Sequence, residues 1–255
     1  MTDEILLERA DGVLTITLNR PAKKNALTGD MYGALTEALL AGDADPDVRV
    51  ILIKAAGDAF VAGADIARFA AINAGEITGP PAGQPFLQAL AAARTPVVAA
   101  VHGRAVGVGF TMLLHCDLVY VAEDALLSCP FINLALTPEA ASSILLPARI
   151  GHIRAFRLFA LGEAIAGRTA VDWGLATEAL PAAEVQARGW EAAAALARRP
   201  ADALRVMKGL MVDGQAVRQR IDLEFELFYQ RLASAEAREA FAAFFEKRPP
   251  DFRRC

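Results

Sequence analysis

Three cysteines and three histidines in 255 residues leave little with which to build a disulfide frame or a metal centre. Cys116, Cys129 and Cys255 are odd in number and scattered, and no CxxC pair or His/Cys cluster with ligand spacing occurs. Neither a stapled secreted scaffold nor a bound metal is therefore expected, and a reducing compartment fits best. His102, His115 and His152 stand apart from any serine or cysteine at a spacing useful for nucleophilic chemistry, so they read as structural. No apolar run reaches membrane-spanning length. The first residues, MTDEILLERADG, carry acids where a secretory or transit leader would carry bases. Positive charge is in short supply too: 26 Lys and Arg against 30 Asp and Glu give a net charge of −4, which disfavours a general nucleic-acid or anionic-membrane surface. The expectation is a cytoplasmic protein with a small-molecule partner, no nucleic acid and no membrane.

What the chain does have is apolar material, 55% of its residues, enough for one large core or a core with an appendage. Ile5 to Leu18 predicts two strands around an Asp11-Gly12 turn, with Val13, Thr15 and Thr17 alternating against Leu14, Ile16 and Leu18. Thr28 to Leu40 has helical spacing, and VRVILIKA (48–55) is a buried strand. GDAFVAGADIARF then gives a glycine-bearing turn leading into a helix. Residues 73 to 85, rich in Gly and Pro, predict a mobile loop near a site mouth. Phe86 to Arg94 is helical, TPVVAAVHG a strand, GRAVGVG a second glycine turn, Phe110 to His115 a short buried helix and DLVYVAE another strand. Strand, turn and helix in repeated units predict an α/β fold. From about residue 185 amphipathic helices replace the β patterns, the last a long segment from Ala216 to Glu246 with more apolar surface than it can bury on itself. The division expected is a core over 1–190 and a helical region over 191–255.

The candidate chemistry lies in Cys129 to Gly151, where Glu139 is one carboxylate in an apolar run. Thr137 suits an N-cap, Pro138 a first helical position and Glu139 the first turn of a short helix ending near Pro147. An acid there ordinarily complements the helix dipole; chemistry requires partners. The two glycine turns supply them. Ala62, Gly63, Ala64 and Asp65 lie between a strand end and a helix start, as do Gly107, Val108 and Gly109, and the N–H groups of Ala64 and Val108 could converge on one oxygen. Such donors aimed at a developing enolate lower a barrier by roughly 3 kcal/mol each. A dinucleotide fingerprint is excluded by Met112 where its third glycine would stand, and no GxxxxGK[ST] occurs.

The order RPAKKNAL, GDAFVAGADI, HGRAVGVGF, CDLVYVAEDA and FFEKRPPDF resembles the crotonase superfamily, the enoyl-CoA hydratase/isomerase group, from Ile5 to Phe252. The resemblance implies a spiral of ββα units, an α-helical C-terminal trimerisation region, a homotrimer or dimer of trimers, and an acyl-CoA substrate. Coenzyme A belongs to that substrate, so no separate cofactor is implied. It assigns Ala64 and Val108 to an oxyanion hole and places substrate contacts at Ala22, Lys23, Lys24, Ala62, Asp65, Ile66, Phe131, Phe244 and Lys247, the last two at the nucleotide end. The two glutamates of enoyl-CoA hydratases match Thr111 and Phe131 here, neither of which can act as a carboxylate base. TPEAASSILLP is instead similar to the SPEGCSS-type segment of Δ3,Δ2-enoyl-CoA isomerases, whose matching glutamate is the only acid/base residue. The resemblance thus implies an isomerase with Glu139 as proton carrier. The alternatives are a hydratase or another crotonase-type acyl-CoA enzyme, and a non-catalytic acyl-CoA-binding module.

Overall fold

The computed structural model of the protein describes residues 2–64, 66–79 and 82–255, Arg254 by its backbone alone. Strands β1 (Ile5–Ala10) and β2 (Val13–Leu18) form an antiparallel hairpin. Its two turn residues, Asp11 and Gly12, both take positive φ (51° and 77°), the geometry that matches the twist of the flanking strands. Helix α1 (Gly29–Ala44) starts at Thr28, whose side chain accepts from the Met31 N–H. There follow β3 (Val50–Ala55), α2 (Ile66–Asn73), α3 (Gly83–Ala92), β4 (Val97–Val101), β5 (Arg104–Val106) and α4 (Val108–Thr111), which tightens into a 3-10 turn through His115. The remainder is β6 (Leu118–Ala122), β7 (Leu126–Ser128), α5 (Ser142–Ile150), α6 (His152–Leu161), β8 (Ala164–Ala166), α7 (Gly167–Asp172), β9 (Glu178–Leu180), α8 (Val185–Ala197), α9 (Ala201–Met211), α10 (Gly214–Leu232) and α11 (Ala235–Glu246).

Six strands form one sheet in the order β1-β2-β3-β4-β6-β9, parallel except at the β1 hairpin; β5-β7-β8 form a second. The alternation in β2 does not mark a wet face, because Thr15 is as buried as its neighbours. Helices cover both sides of the parallel sheet. On the face that carries Leu14 and Ile51, a Cβ added to Gly42 of α1 would lie 2.7 Å from Leu14. On the opposite face, with Leu52 and Ala100, one added to Gly189 of α8 would lie 2.9 Å from the Ala100 Cβ. Parallel sheets are stable only when covered in this way. Residue 190, where the expected core segment ends, lies within α8, on the sheet.

Successive turns of the chain repeat one path. A strand joins the large sheet, the next residues join the small sheet, and a helix follows. The path runs β3, the bridge of Val61 to Ala105, then α2; next β4, β5, α4; next β6, β7, α5. This is the mixed α/β spiral expected, with a helical C-terminal part. The expected long final helix is two, broken at Ala233–Ser234, where the Ser234 side chain caps α11 by accepting from the Ala237 N–H. Strands β5, β7, β8 and β9 are three residues each, too short to show a period. The expected loop over 73–85 is shorter because α3 begins at Gly83, and Pro80 and Pro81 lie outside the described residues. Among the described residues no helix is long and apolar enough to cross a membrane.

The α8 packing is testable. Alanine 100 cannot rotate out of the way, so Gly189→Val overfills the interface and is expected to lower stability by about 1–3 kcal/mol. A urea midpoint equal to that of the parent would show that α8 is not seated closely on β4.

Candidate active site

The three glycine-bearing and acidic segments meet because the small sheet lines them up. The Val106 N–H donates to the Val61 carbonyl (2.9 Å), the Val61 N–H to the Arg104 carbonyl (3.0 Å) and the Gly107 N–H to the Ser128 carbonyl (2.9 Å). Ala64 and Val108 each lie three residues past the bridged pair Val61–Ala105, so they leave adjacent strands in register. Gly63 (φ 105°) and Gly107 (φ 56°) turn the chain there, in conformations that favour glycine. Gly109 lets α4 press on the bridged segment at Val61: a Cβ on it would meet the Val61 Cβ at 2.6 Å. Neither the Ala64 nor the Val108 N–H has a backbone acceptor among the described residues.

Those two residues border a cavity of about 100 Å³ together with Ala62, Gly63, Ile66, Phe69, Val106 and Gly107 from the same turns. Its far wall is Pro130, Phe131, Leu134, Leu136 and Glu139, and Phe228 of α10 closes it. Rings of Phe69 and Phe131 meet Phe228 edge-on, with centroids 5.6 and 6.5 Å away. Glu139 is the one carboxyl among the described lining residues.

Glu139 does not sit where its sequence suggested. Thr137 caps nothing, its Oγ1 being buried with no partner among the described residues, and α5 begins only at Ser142. Between them Ala140 (φ 63°) and Ala141 (φ 53°) are both left-handed, which costs a non-glycine residue roughly 1 kcal/mol apiece. Three bonds hold the kink. The Glu139 carbonyl accepts from the Ser142 N–H (3.0 Å) and Oγ–H (2.5 Å), and the Ala140 carbonyl from His115 Nε2 (2.8 Å). Burial lowers His115 to about 4, so its ring is neutral and Nε2 carries the proton donated. Pro147 does not end α5, which runs on to Ile150. The lost helical bond, worth about 3 kcal/mol, is set against burial of Leu146 and Ile150.

Glu139 is 9% exposed, and burial first, then the nearby Glu224 carboxyl, push its pKa from 4.5 up to about 8. Glu224, on α10, is itself 4% exposed and raised by burial. It was not singled out in the sequence, yet a signal was there: it is three residues after Ile221 and four before Phe228, on the buried stripe of its helix. Phe69 was likewise not singled out.

Of the residues expected in the site, Ala62, Ala64, Ile66, Val108, Phe131 and Glu139 line the cavity. Ala22 and Lys23 form an exposed 3-10 turn, and Lys24 is outside the lining, tied to it only by its carbonyl, which accepts from the Ala62 N–H (3.0 Å). Phe244 and Lys247, at the end of α11, are outside the lining, Phe244 half-exposed. Asp65 lies outside the described residues. Thr111 is wholly buried away from the lining.

A sequence model described as Enoyl-CoA hydratase/isomerase matches residues 8–254. The chain is 32% identical to the 1,2-epoxyphenylacetyl-CoA isomerase of Escherichia coli, over 99% of both chains. It is 30% identical to enoyl-CoA delta isomerase 2 of Rattus norvegicus, over 96% of this chain and 64% of that one. A crystal structure of an enoyl-CoA hydratase/isomerase from Pseudoalteromonas atlantica superposes with a TM-score of 0.92 at 38% identity, covering 98% of this chain and all of that one.

The proton held by Glu139 makes stability depend on pH. Between about 4.5 and 8 the unfolded chain has released this proton and the folded one keeps it. The contribution is therefore full below 4.5, declines as pH rises through the window and is gone above 8. Glu139→Gln removes that decline: it should match the parent near pH 4.5 and exceed it by a few kcal/mol, to order of magnitude, at pH 9. Parallel pH–stability curves for the two proteins would refute the buried, protonated carboxyl.

Proposed function

The chain belongs to the enoyl-CoA hydratase/isomerase (crotonase) family, and we propose that within it this protein is a cytoplasmic isomerase that moves the double bond of an enoyl-CoA thioester from Δ3 to Δ2. The observation that carries the reading is Glu139, the one carboxyl among the described lining residues of an otherwise apolar cavity. Ionised Glu139 takes a proton from C2, and the electron pair left behind delocalises over the double bond onto the thioester oxygen. The N–H groups of Ala64 and Val108 hold that oxygen as it gains charge. Neutral Glu139 then returns the proton at C4, the pair moves back, and the new double bond lies between C2 and C3. Atoms and charge balance, and no water takes part. A proton affinity near 8 suits both transfers, since a general acid/base works best when its pKa lies near the operating pH. The phenylalanine and leucine walls keep out water that would otherwise add to the product.

Lys23 and Lys24, exposed on their 3-10 turn, would meet the phosphates of coenzyme A as solvated cations. Phe244 and Lys247 would reach a neighbouring subunit's nucleotide end in a trimer or dimer of trimers. The exposed apolar residues Ile153 and Phe156 of α6 and Leu210 and Met211 of α9 favour assembly. A second reading, an isomerase of a ring-bearing acyl-CoA, is favoured by Phe69, Phe131 and Phe228 in the lining.

Purified protein should raise near-ultraviolet absorbance with trans-3-hexenoyl-CoA and leave crotonyl-CoA intact. Rapid loss of crotonyl-CoA absorbance would mean that water is activated without a second glutamate and would overturn the mechanism. Glu139→Gln should keep ligand binding and lose at least about 100-fold in turnover. Ring-bearing substrates used in parallel decide between the two isomerase readings, and failure to exchange α-protons in deuterated water despite tight binding would leave only a binding module.

A further inference from the structure

Glu224 is a buried carboxyl that the mechanism above does not use. It stands on α10, far in sequence from Glu139, and the whole start of α5 leans on it. Its Oε1 accepts from both the N–H (3.0 Å) and the Oγ–H (2.5 Å) of Ser143, and the Ala141 N–H adds a further donor. Helix α5 has no cap of its own, since its N-cap is Ala141. The step from left-handed Ala141 into helical Ser142 and Ser143 turns successive N–H groups to one side, the concave arrangement that takes an anion. Glu224 fills it from another helix. Its second oxygen, Oε2, is buried with no hydrogen-bond partner among the described residues.

We propose that Glu224 is the positioning residue of the site: it fixes the Glu139–Ser143 kink by capping α5 in trans and sets a second carboxyl charge behind Glu139, so governing how readily Glu139 gives up its proton. The proposal rests on Glu139 as the proton carrier. The donors around Glu224 favour its ionised form, with Arg220 of the same helix adding to them, whereas Glu139 has a dry wall and a like charge. Glu224 therefore ionises first and holds the proton on its neighbour. The other titratable groups facing this pair are Tyr32 of α1 and Tyr229 of α10, both phenols raised by burial, with Arg68 of α2 facing Tyr229 and neutral His115 bonded at Ala140. None of these can place a competing negative charge near neutral pH.

The test separates charge from shape. Glu224→Gln retains an acceptor for Ser143 and removes the charge. Carboxyl carbon NMR titration of glutamate-labelled protein, with the Glu139 signal identified by its loss in Glu139→Gln, should show the Glu139 midpoint moving to lower pH by about one unit or more in Glu224→Gln. The acid limb of the kcat/KM profile should move with it, while KM changes by less than about twofold. An unmoved midpoint overturns the proposal and leaves Glu224 a cap alone. Should Glu224→Gln not fold, the parent protein gives the same decision: ionisation of Glu224 should register as a second, smaller inflection of the Glu139 carboxyl signal at lower pH, and a Glu139 signal with a single inflection refutes the coupling. The NMR midpoint needs no turnover. Protein inactive on every enoyl thioester but with a shifted midpoint would sink the isomerase reading and leave the coupling intact.

Discussion

A carboxyl group moved out of water takes its proton with it unless its surroundings compensate, and the arrangement around Glu139 compensates only in part. The wall it belongs to is phenylalanine and leucine, its second neighbour is another acid, and no cation lines the cavity among the described residues. Keeping such a group in place requires a backbone that will not relax toward solvent. The chain meets that requirement with two left-handed alanines, a carbonyl held twice by Ser142 and a neutral histidine that fastens the next carbonyl. Strain at these positions is tolerated because the parallel sheet, α5 and α10 are rigid around them.

The sheet strands and the first half of the helices could be read from periodicity, since VILIKA and VVAAV are continuous β-branched and small runs with one buried solution. The two glycine turns could be read because strand end, small residues and helix start occur together twice. What stayed hidden was long-range. Nothing local in IDLEFELFYQ says that Glu224 caps a helix some eighty residues earlier or that Phe228 closes a cavity. The kink at Glu139 was misread for a physical reason: Thr-Pro-Glu satisfies every local preference for a helix start, and tertiary bonds from His115 and Glu224 override it. The four three-residue strands carry no period at all.

The division of labour between segments follows. One wall of the cavity comes from turns attached directly to strands, and the opposite wall from a kinked loop and a helix packed against each other. The first is set by the sheet; the second by side chains that reach across the fold.

The register of the small sheet has a consequence of its own. Because Val61 and Ala105 are bridged, and Ala64 and Val108 each follow three residues later, the two glycine turns that carry those N–H groups start from neighbouring segments at strand spacing, about 4.8 Å. Strand spacing is a property of the peptide group and is indifferent to side chains. What substitution can reshape is the pair of turns, at Gly63 and Gly107 above all, and the kinked loop opposite, so the starting point of one wall is common to every sheet while the other wall is particular to this chain.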